Sequence, residues 1–110
     1  MPSTEIDENM TRRTVTVMLN NGLHMVPASE IARAVREFTG HLVIRRDQVT
    51  ADPRSVLDLL QLKAEYGTHL EVEADGDGAE QVVDAIAHLF AINFAAERSV
   101  PAPEGGDDRA

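Results

Sequence analysis

The order of strand-like and helix-like hydrophobic patterns is the strongest constraint on the fold of this chain. Residues 14–19 alternate between apolar and polar side chains, which is typical of a strand with one buried face. Residues 27–38 instead place apolar side chains at the spacing of an amphipathic helix. The later segments predict two short strands (41–46 and around Val49), a short helix (55–62), a strand (69–74) and a long helix (79–96).

The predicted order is therefore β-α-β-β-α-β-α. Such an order, with one tight turn at residues 47–48 joining two strands directly, favours an antiparallel sheet covered by helices, an α+β fold. The chain has 110 residues, which suits a single domain. Residues 1–12 and 98–110 lack periodicity and are polar or rich in structure breakers. We predict a flexible tail at each end of a domain spanning 13–97, with the C-terminal tail acidic.

Composition restricts the classes of partner and site. The net charge is −9, and nucleic acids or anionic membranes select instead for clustered basic residues. No apolar run approaches the roughly 20 residues of a membrane helix. The chain has no cysteine, and its histidines lack metal-ligand spacing with a nearby carboxylate. We expect a cytoplasmic protein without membrane insertion, nucleic-acid partner, metal ion or other cofactor.

One segment combines a reactive side chain with a helix start. Residues 21–28 read Asn-Gly-Leu-His-Met-Val-Pro-Ala, and Pro27 suits the first turn of the following helix. The N–H groups of a first turn attract anions. An imidazole nitrogen of His24 could accept a phosphoryl group there. A lone histidine in a turn is more often structural or incidental, so spacing alone leaves both interpretations open.

The segment Gly-Leu-His-x-x-Pro-Ala at residues 22–28 resembles the phosphorylation motif of HPr, the histidine-containing phosphocarrier of the bacterial sugar phosphotransferase system. The element order of residues 13–97 is also similar to that family. So are Pro-Arg-Ser-Val-Leu-Asp-Leu at residues 53–59 and Gly67 before the fourth strand. The resemblance implies an open-faced β-sandwich, in which three helices cover one face of a four-stranded antiparallel sheet.

The resemblance also implies roles for individual residues. His24 would accept a phosphoryl group from an enzyme I-like protein and pass it to a protein acceptor. The chain would thus be a phosphoryl carrier rather than a free-standing enzyme, and we expect it to be a monomer. Ser55 would be a regulatory site for a serine kinase. A patch for docking partners would comprise Val56, Leu57 and Leu60. Apart from the resemblance, we predict that Val26 exposes apolar surface beside His24 and is a further candidate for docking.

Ser55 has a second interpretation that requires no regulation. Ser55 and Asp58 have the spacing of a capping box, in which the serine hydroxyl satisfies an N–H group of the first helical turn. We predict that Ser55 caps the short helix, and both roles can hold together.

The motif departs from the family at two positions. Similar proteins carry Thr or Ser and then Arg after the histidine, whereas this chain has Met25 and Val26. An arginine would offer the phosphoryl oxygens a permanently charged, bidentate partner. Lys63 lies in the loop that the resemblance places near His24, so it is a candidate substitute. The alternative function is an HPr-like interaction module that no longer transfers phosphoryl groups.

Overall fold

The computed structural model describes residues 10–94, which form the seven elements in the predicted order. The strands are β1 (Met10–Thr16), β2 (His41–Arg46), β3 (Val49–Ala51) and β4 (His69–Asp75). The helices are α1 (Met25–Val35), α2 (Val56–Gln61) and α3 (Ala79–Ala91). The strands form one antiparallel sheet in the order β1-β4-β2-β3. The predicted open-faced α+β fold, with three helices on one face of the sheet, is confirmed.

β4 occupies the middle of this sheet and pairs with β1 on one side and β2 on the other. Its alternate side chains Leu70, Val72 and Ala74 are buried beneath the helices. Burial of apolar surface is the main force that holds such layers together. The largest fully buried side chains of the core are Val17, Pro27, Ile31, Val35, Ile44, Leu59, Leu62, Leu70, Val72, Val83, Ile86 and Phe94.

β1 begins and ends earlier than the sequence predicted. Residues 10–12 pair with the end of β4, so they belong to the fold and not to the predicted N-terminal tail. Val17 lies beyond β1 but remains tied to the chain before β4. Its N–H donates to the Thr68 carbonyl at 2.8 Å, and its carbonyl accepts from the Gly67 N–H at 2.7 Å. The alternating pattern thus identified the buried face correctly but not the bounds of the strand.

α1 spans Met25–Val35, whereas the sequence predicted residues 27–38. Pro27 is its third residue and not its first. Proline is tolerated throughout the first turn, because the N–H groups there have no acceptor within the helix and the N–H that proline lacks is not needed.

The chain that follows α1 is held by Arg54, which donates to the carbonyls of Phe38 and Gly40 at 2.7 and 3.2 Å. The position of Gly40 after the helical pattern predicts a glycine cap for α1, but its φ is not positive, and it is instead a close-packing position. A Cβ there would lie 2.5 Å from the Asp75 carbonyl oxygen.

α3 ends at Ala91 and not at residue 96, because Phe94 turns back into the core. Phe94 has a left-handed backbone (φ +53°). Its ring packs edge-to-face against the ring of Phe90, with the two ring centroids 4.9 Å apart. The predicted domain end at residue 97 and the acidic C-terminal tail lie outside the described residues. None of the helices within 10–94 is long and apolar enough to cross a membrane.

Glu73 joins three strands on the open face of the sheet. Its carboxylate accepts hydrogen bonds from Arg12 on β1 at 3.3 Å and from His41 and Arg45 on β2 at 3.1 and 3.2 Å. Although it is on the face away from the helices, its side chain is only 9% exposed. Burial by itself would raise the pKa of Glu73. The hydrogen bonds to the ionised carboxylate outweigh burial and hold the pKa below its usual value.

Replacing Glu73 with Ala should therefore be more destabilising than the same change at its neighbour Glu71. Glu71 is 40% exposed and accepts a bond from Arg45 at 3.0 Å. We expect Glu73→Ala to lower the free energy of unfolding by about 2 kcal/mol at neutral pH. Glu71→Ala should cost less than about 1 kcal/mol. Urea denaturation measures both values, and equal losses would contradict this role for Glu73.

The cost of Glu73→Ala should also depend on pH, in a direction fixed by the lowered pKa. A lowered folded pKa means that the carboxylate stabilises the fold above the ordinary value of 4.5. This stabilisation is lost as the pH falls through the lower folded value. The difference between parent and variant should therefore shrink in acid.

Candidate functional site

His24 lies at the N-cap of α1, where the chain passes from β1 into the first helix. Its backbone is extended (φ −98°, ψ −166°), and its side chain makes no capping hydrogen bond to the helix. The His24 carbonyl accepts from the Ala28 N–H at 3.0 Å and so begins the helical ladder. The residue is partly exposed and not buried in the core. This placement before the helix agrees with the sequence prediction.

The first turn of α1 suits an anion beside His24. Met25 and Val26 are its first two residues, and N–H groups at these positions have no acceptor within a helix. Pro27 contributes no N–H group. The first turn carries no acidic side chain that would repel an anion. Two backbone donors and the positive end of the helix dipole therefore lie directly after His24 in the chain.

The loop that follows α2 is hydrogen-bonded to the segment that carries His24. The Leu23 N–H donates to the Ala64 carbonyl at 2.8 Å. Gly22 has a left-handed backbone (φ +73°), and a Cβ there would lie 2.6 Å from the same carbonyl oxygen. The residue before Ala64 is Lys63, an exposed residue with φ +50°. The loop that follows α2 thus reaches the His24 segment, as the resemblance implied.

The two positions that depart from the family present apolar surface next to His24. The residues Met25 and Val26 are 56% and 45% exposed. The predicted exposure of Val26 is therefore confirmed. In this part of the site the described residues place hydrocarbon where an arginine would have placed a guanidinium.

Ser55 is the N-cap of α2, and its hydroxyl accepts from the Asp58 N–H at 3.2 Å. The predicted cap is confirmed, but the reciprocal half of the capping box is not formed. The Asp58 carboxylate instead accepts from the Asp52 N–H at 3.2 Å. The Asp52 carboxylate in turn accepts from the Arg54 Nε at 2.9 Å, so Asp52 and Asp58 both hold the turn before α2.

The proposed docking residues of α2 differ in how much surface they offer. Leu57 is 71% exposed. Val56 and Leu60 are partly buried and pack against the core. Leu57 and Val26 are therefore the most exposed members of the predicted patch.

Sequence reasoning did not single out three further residues, Met18, Arg46 and Tyr66. Met18 and Tyr66 are exposed apolar side chains at 48% and 57%. Arg46 donates to the Leu62 carbonyl at 2.6 Å and so holds the end of α2. Met18 and Tyr66 could have been suspected, since each is a large apolar residue close to turn-forming residues, Asn20-Asn21-Gly22 and Gly67 respectively. No sequence signal pointed to the contact of Arg46, which depends on tertiary packing.

The other described histidines contact the sheet or a helix surface. His41 binds Glu73, and the His69 Nδ1 lies 2.9 Å from the Thr16 hydroxyl. His88 is an exposed residue of α3. Across residues 10–94 no group of three or more His, Asp or Glu side chains is arranged to hold a metal ion.

Substitutions at two glycines should separate backbone strain from the loop contact. Both Gly22 and Gly67 have positive φ, but a Cβ at Gly67 would meet nothing within 4 Å. We expect Gly67→Ala to cost about 1 kcal/mol from strain alone. Gly22→Ala should cost at least about 2 kcal/mol, because it also displaces the Ala64 carbonyl. Urea denaturation measures both, and equal costs would contradict the importance of the contact.

Comparison with known proteins places this geometry in a family. The family described as "PTS HPr component phosphorylation site" matches residues 11–91, a stretch that includes His24. Phosphocarrier protein NPr of Proteus mirabilis is 32% identical over 83 residues, which cover 74% of this chain and 92% of that protein.

Solved structures show the same fold. HPr-C-His from Thermoanaerobacter tengcongensis superimposes with a TM-score of 0.73 at 21% identity, covering 77% of this chain and 96% of that one. An HPr dimer from the same organism superimposes with a TM-score of 0.61 at 23% identity, covering 66% and 84%. The family match over residues 11–91 and the 32% identical relative establish that the chain belongs to the HPr family of phosphocarrier proteins of the phosphotransferase system.

Proposed function

We propose that His24 of this chain carries a phosphoryl group between an enzyme I-like protein donor and a protein acceptor. The observation that supports this most strongly is the position of His24 at the N-cap of α1, beside the first-turn amides of Met25 and Val26. In the transfer, the unprotonated ring nitrogen attacks phosphorus and its lone pair forms the P–N bond. The bond from phosphorus to the donor breaks, and the donor keeps that electron pair.

The site provides little beyond position and electrostatics, which is what a carrier requires. The helix amides can bind the phosphoryl oxygens, and His24 is partly exposed at the protein surface, where a protein partner can approach. A single chain supplies His24 and the loop that supports it, so we propose that a monomer acts. Val26 of α1 and Leu57 of α2 provide exposed apolar surface for docking.

A labelling experiment tests the carrier function. The full chain is incubated with an enzyme I-type donor and ³²P-phosphoenolpyruvate, and the label is tested for lability in acid. We expect one acid-labile phosphoryl group per chain that His24→Gln abolishes. His69→Gln is the matched control and should retain the label, because His69 lies on the sheet beside Thr16. A parent that binds the donor without acquiring label would instead support the non-transferring interaction module, and label retained in His24→Gln would contradict the role of His24.

We propose Ser55 as a second, regulatory phosphorylation site for a serine kinase. Its hydroxyl is partly exposed at the start of α2, next to the exposed Leu57. A phosphoryl group there would add a charge of about −1.5 to −2 at a helix N-terminus, which tolerates it. The same charge beside Leu57 would oppose the docking of an apolar surface.

Two substitutions of Ser55 separate capping from regulation. Ser55→Ala removes the cap and should lower the free energy of unfolding by about 1 kcal/mol. Ser55→Asp can still cap, so its thermal stability should stay near that of the parent. Its affinity for the enzyme I-type donor, measured by isothermal titration calorimetry, should fall. If Ser55→Asp binds as tightly as the parent, Ser55 is a cap alone.

A further inference from the structure

The lysine that follows α2 has a backbone conformation that is unfavourable for its residue type. Lys63 is the first residue after the C-cap Leu62 and has φ +50°. Glycine or asparagine usually occupies this left-handed position at a helix end, because other side chains crowd the backbone there. Glycine would therefore suit the backbone better than lysine. A strained residue next to a functional segment is a reason to examine what its side chain does.

The backbone of Lys63 is held between two anchored carbonyl groups. On one side, the Leu62 carbonyl accepts from Arg46 at 2.6 Å. On the other, the Ala64 carbonyl accepts from the Leu23 N–H at 2.8 Å, and Leu23 directly precedes His24. Lys63 is thus fixed one residue from the contact that positions His24. Its side chain is exposed, and the long flexible stem allows the ammonium to adjust its position toward a phosphoryl group on His24.

The arginines described in the structure are mostly engaged in other parts of the fold. Arg12 and Arg45 bind Glu73 on the open face of the sheet, and Arg13 binds Asp84 of α3 at 2.6 Å. Arg54 binds Asp52 and the carbonyls after α1. These guanidinium groups are bound to carboxylates or carbonyls in other parts of the fold. The chain's single lysine instead lies on the loop that contacts the His24 segment.

We propose that the Lys63 ammonium binds the phosphoryl oxygens on His24 and supplies the positive charge that Val26 lacks. This inference rests on the proposed function of His24. In the family motif this positive charge is on the helix that follows the histidine, whereas in this chain it is on the loop that contacts the His24 segment. Lysine occupies this strained position because glycine, which suits the left-handed backbone better, would supply no charge to the phosphoryl oxygens. Glu65, on the far side of Ala64, is the exposed acidic residue of the same loop and opposes this effect.

The test uses the full chain phosphorylated by phosphoramidate, a small chemical donor that needs no protein partner. ³¹P NMR follows the titration of the phosphoryl group on His24, and the absence of the signal in His24→Gln assigns it. A cation beside the phosphoryl group favours its dianion and lowers its pKa. We expect Lys63→Gln and Lys63→Gly each to raise this pKa by about half a unit or more. Lys63→Arg should keep the parental value.

Two controls distinguish charge from structure. Arg36→Gln removes the same charge at the C-cap of α1, the opposite end of the helix from His24, and should leave the titration unchanged. Lys63→Gly should unfold at the parental temperature or above, because it relieves the strain, and yet should lose the pKa effect. A purely structural role predicts no change in the phosphoryl pKa for any of these variants.

A double-mutant cycle tests the replacement of the missing arginine. Val26→Arg should lower the phosphoryl pKa more in the Lys63→Gln background than in the parent, since both cations serve the same oxygens. Unchanged pKa values in Lys63→Gln and Lys63→Gly would overturn the proposal, as would failure of phosphoramidate to modify His24. If the pKa effect is present but the enzyme I-type donor transfers no label, the Lys63 contact stands and the proposed carrier function fails.

Discussion

The central strand β4 is the constraint on which the other elements depend. It pairs along both edges, with β1 and β2, and its inner side chains Leu70, Val72 and Ala74 form the base of the core. Its outer residue Glu73 fixes the register, because a shift by one position would exchange the carboxylate with a buried apolar side chain. The start of β4 also fixes the preceding turn at residues 65–68 and, through Ala64, the segment that carries His24.

The sequence was sufficient for the element order, the buried faces and the location of the candidate histidine. These features are local, since apolar periodicity and turn residues reveal them directly. The ends of β1, α1 and α3 could not be predicted, because tertiary contacts decide them. Phe94 ends α3 by folding back into the core, and β1 starts at Met10 because β4 offers it a partner. The contact between Ala64 and Leu23 and the three-strand network of Glu73 likewise join residues far apart in the chain.

The electrostatics of the site differ from what the family motif implies. The helix start offers amides and a dipole, the adjoining surface of Met25 and Val26 is apolar, and the proposed cation comes from a separate loop. In this arrangement, the shape of the site and its charge are carried by different segments. The hydrogen bond between Leu23 and Ala64 couples them, so that a change in the loop would alter both the position of His24 and the field around it.

The most direct test of this arrangement is the ¹H–¹⁵N NMR spectrum of the full chain before and after phosphorylation of His24. If the phosphoryl group lies over the start of α1, the amide signals of Met25 and Val26 should shift most, because their N–H groups would bind its oxygens. The Leu23 amide should keep its protection from hydrogen exchange, since its bond to Ala64 persists. Largest shifts away from the start of α1, or loss of protection at Leu23, would contradict the account.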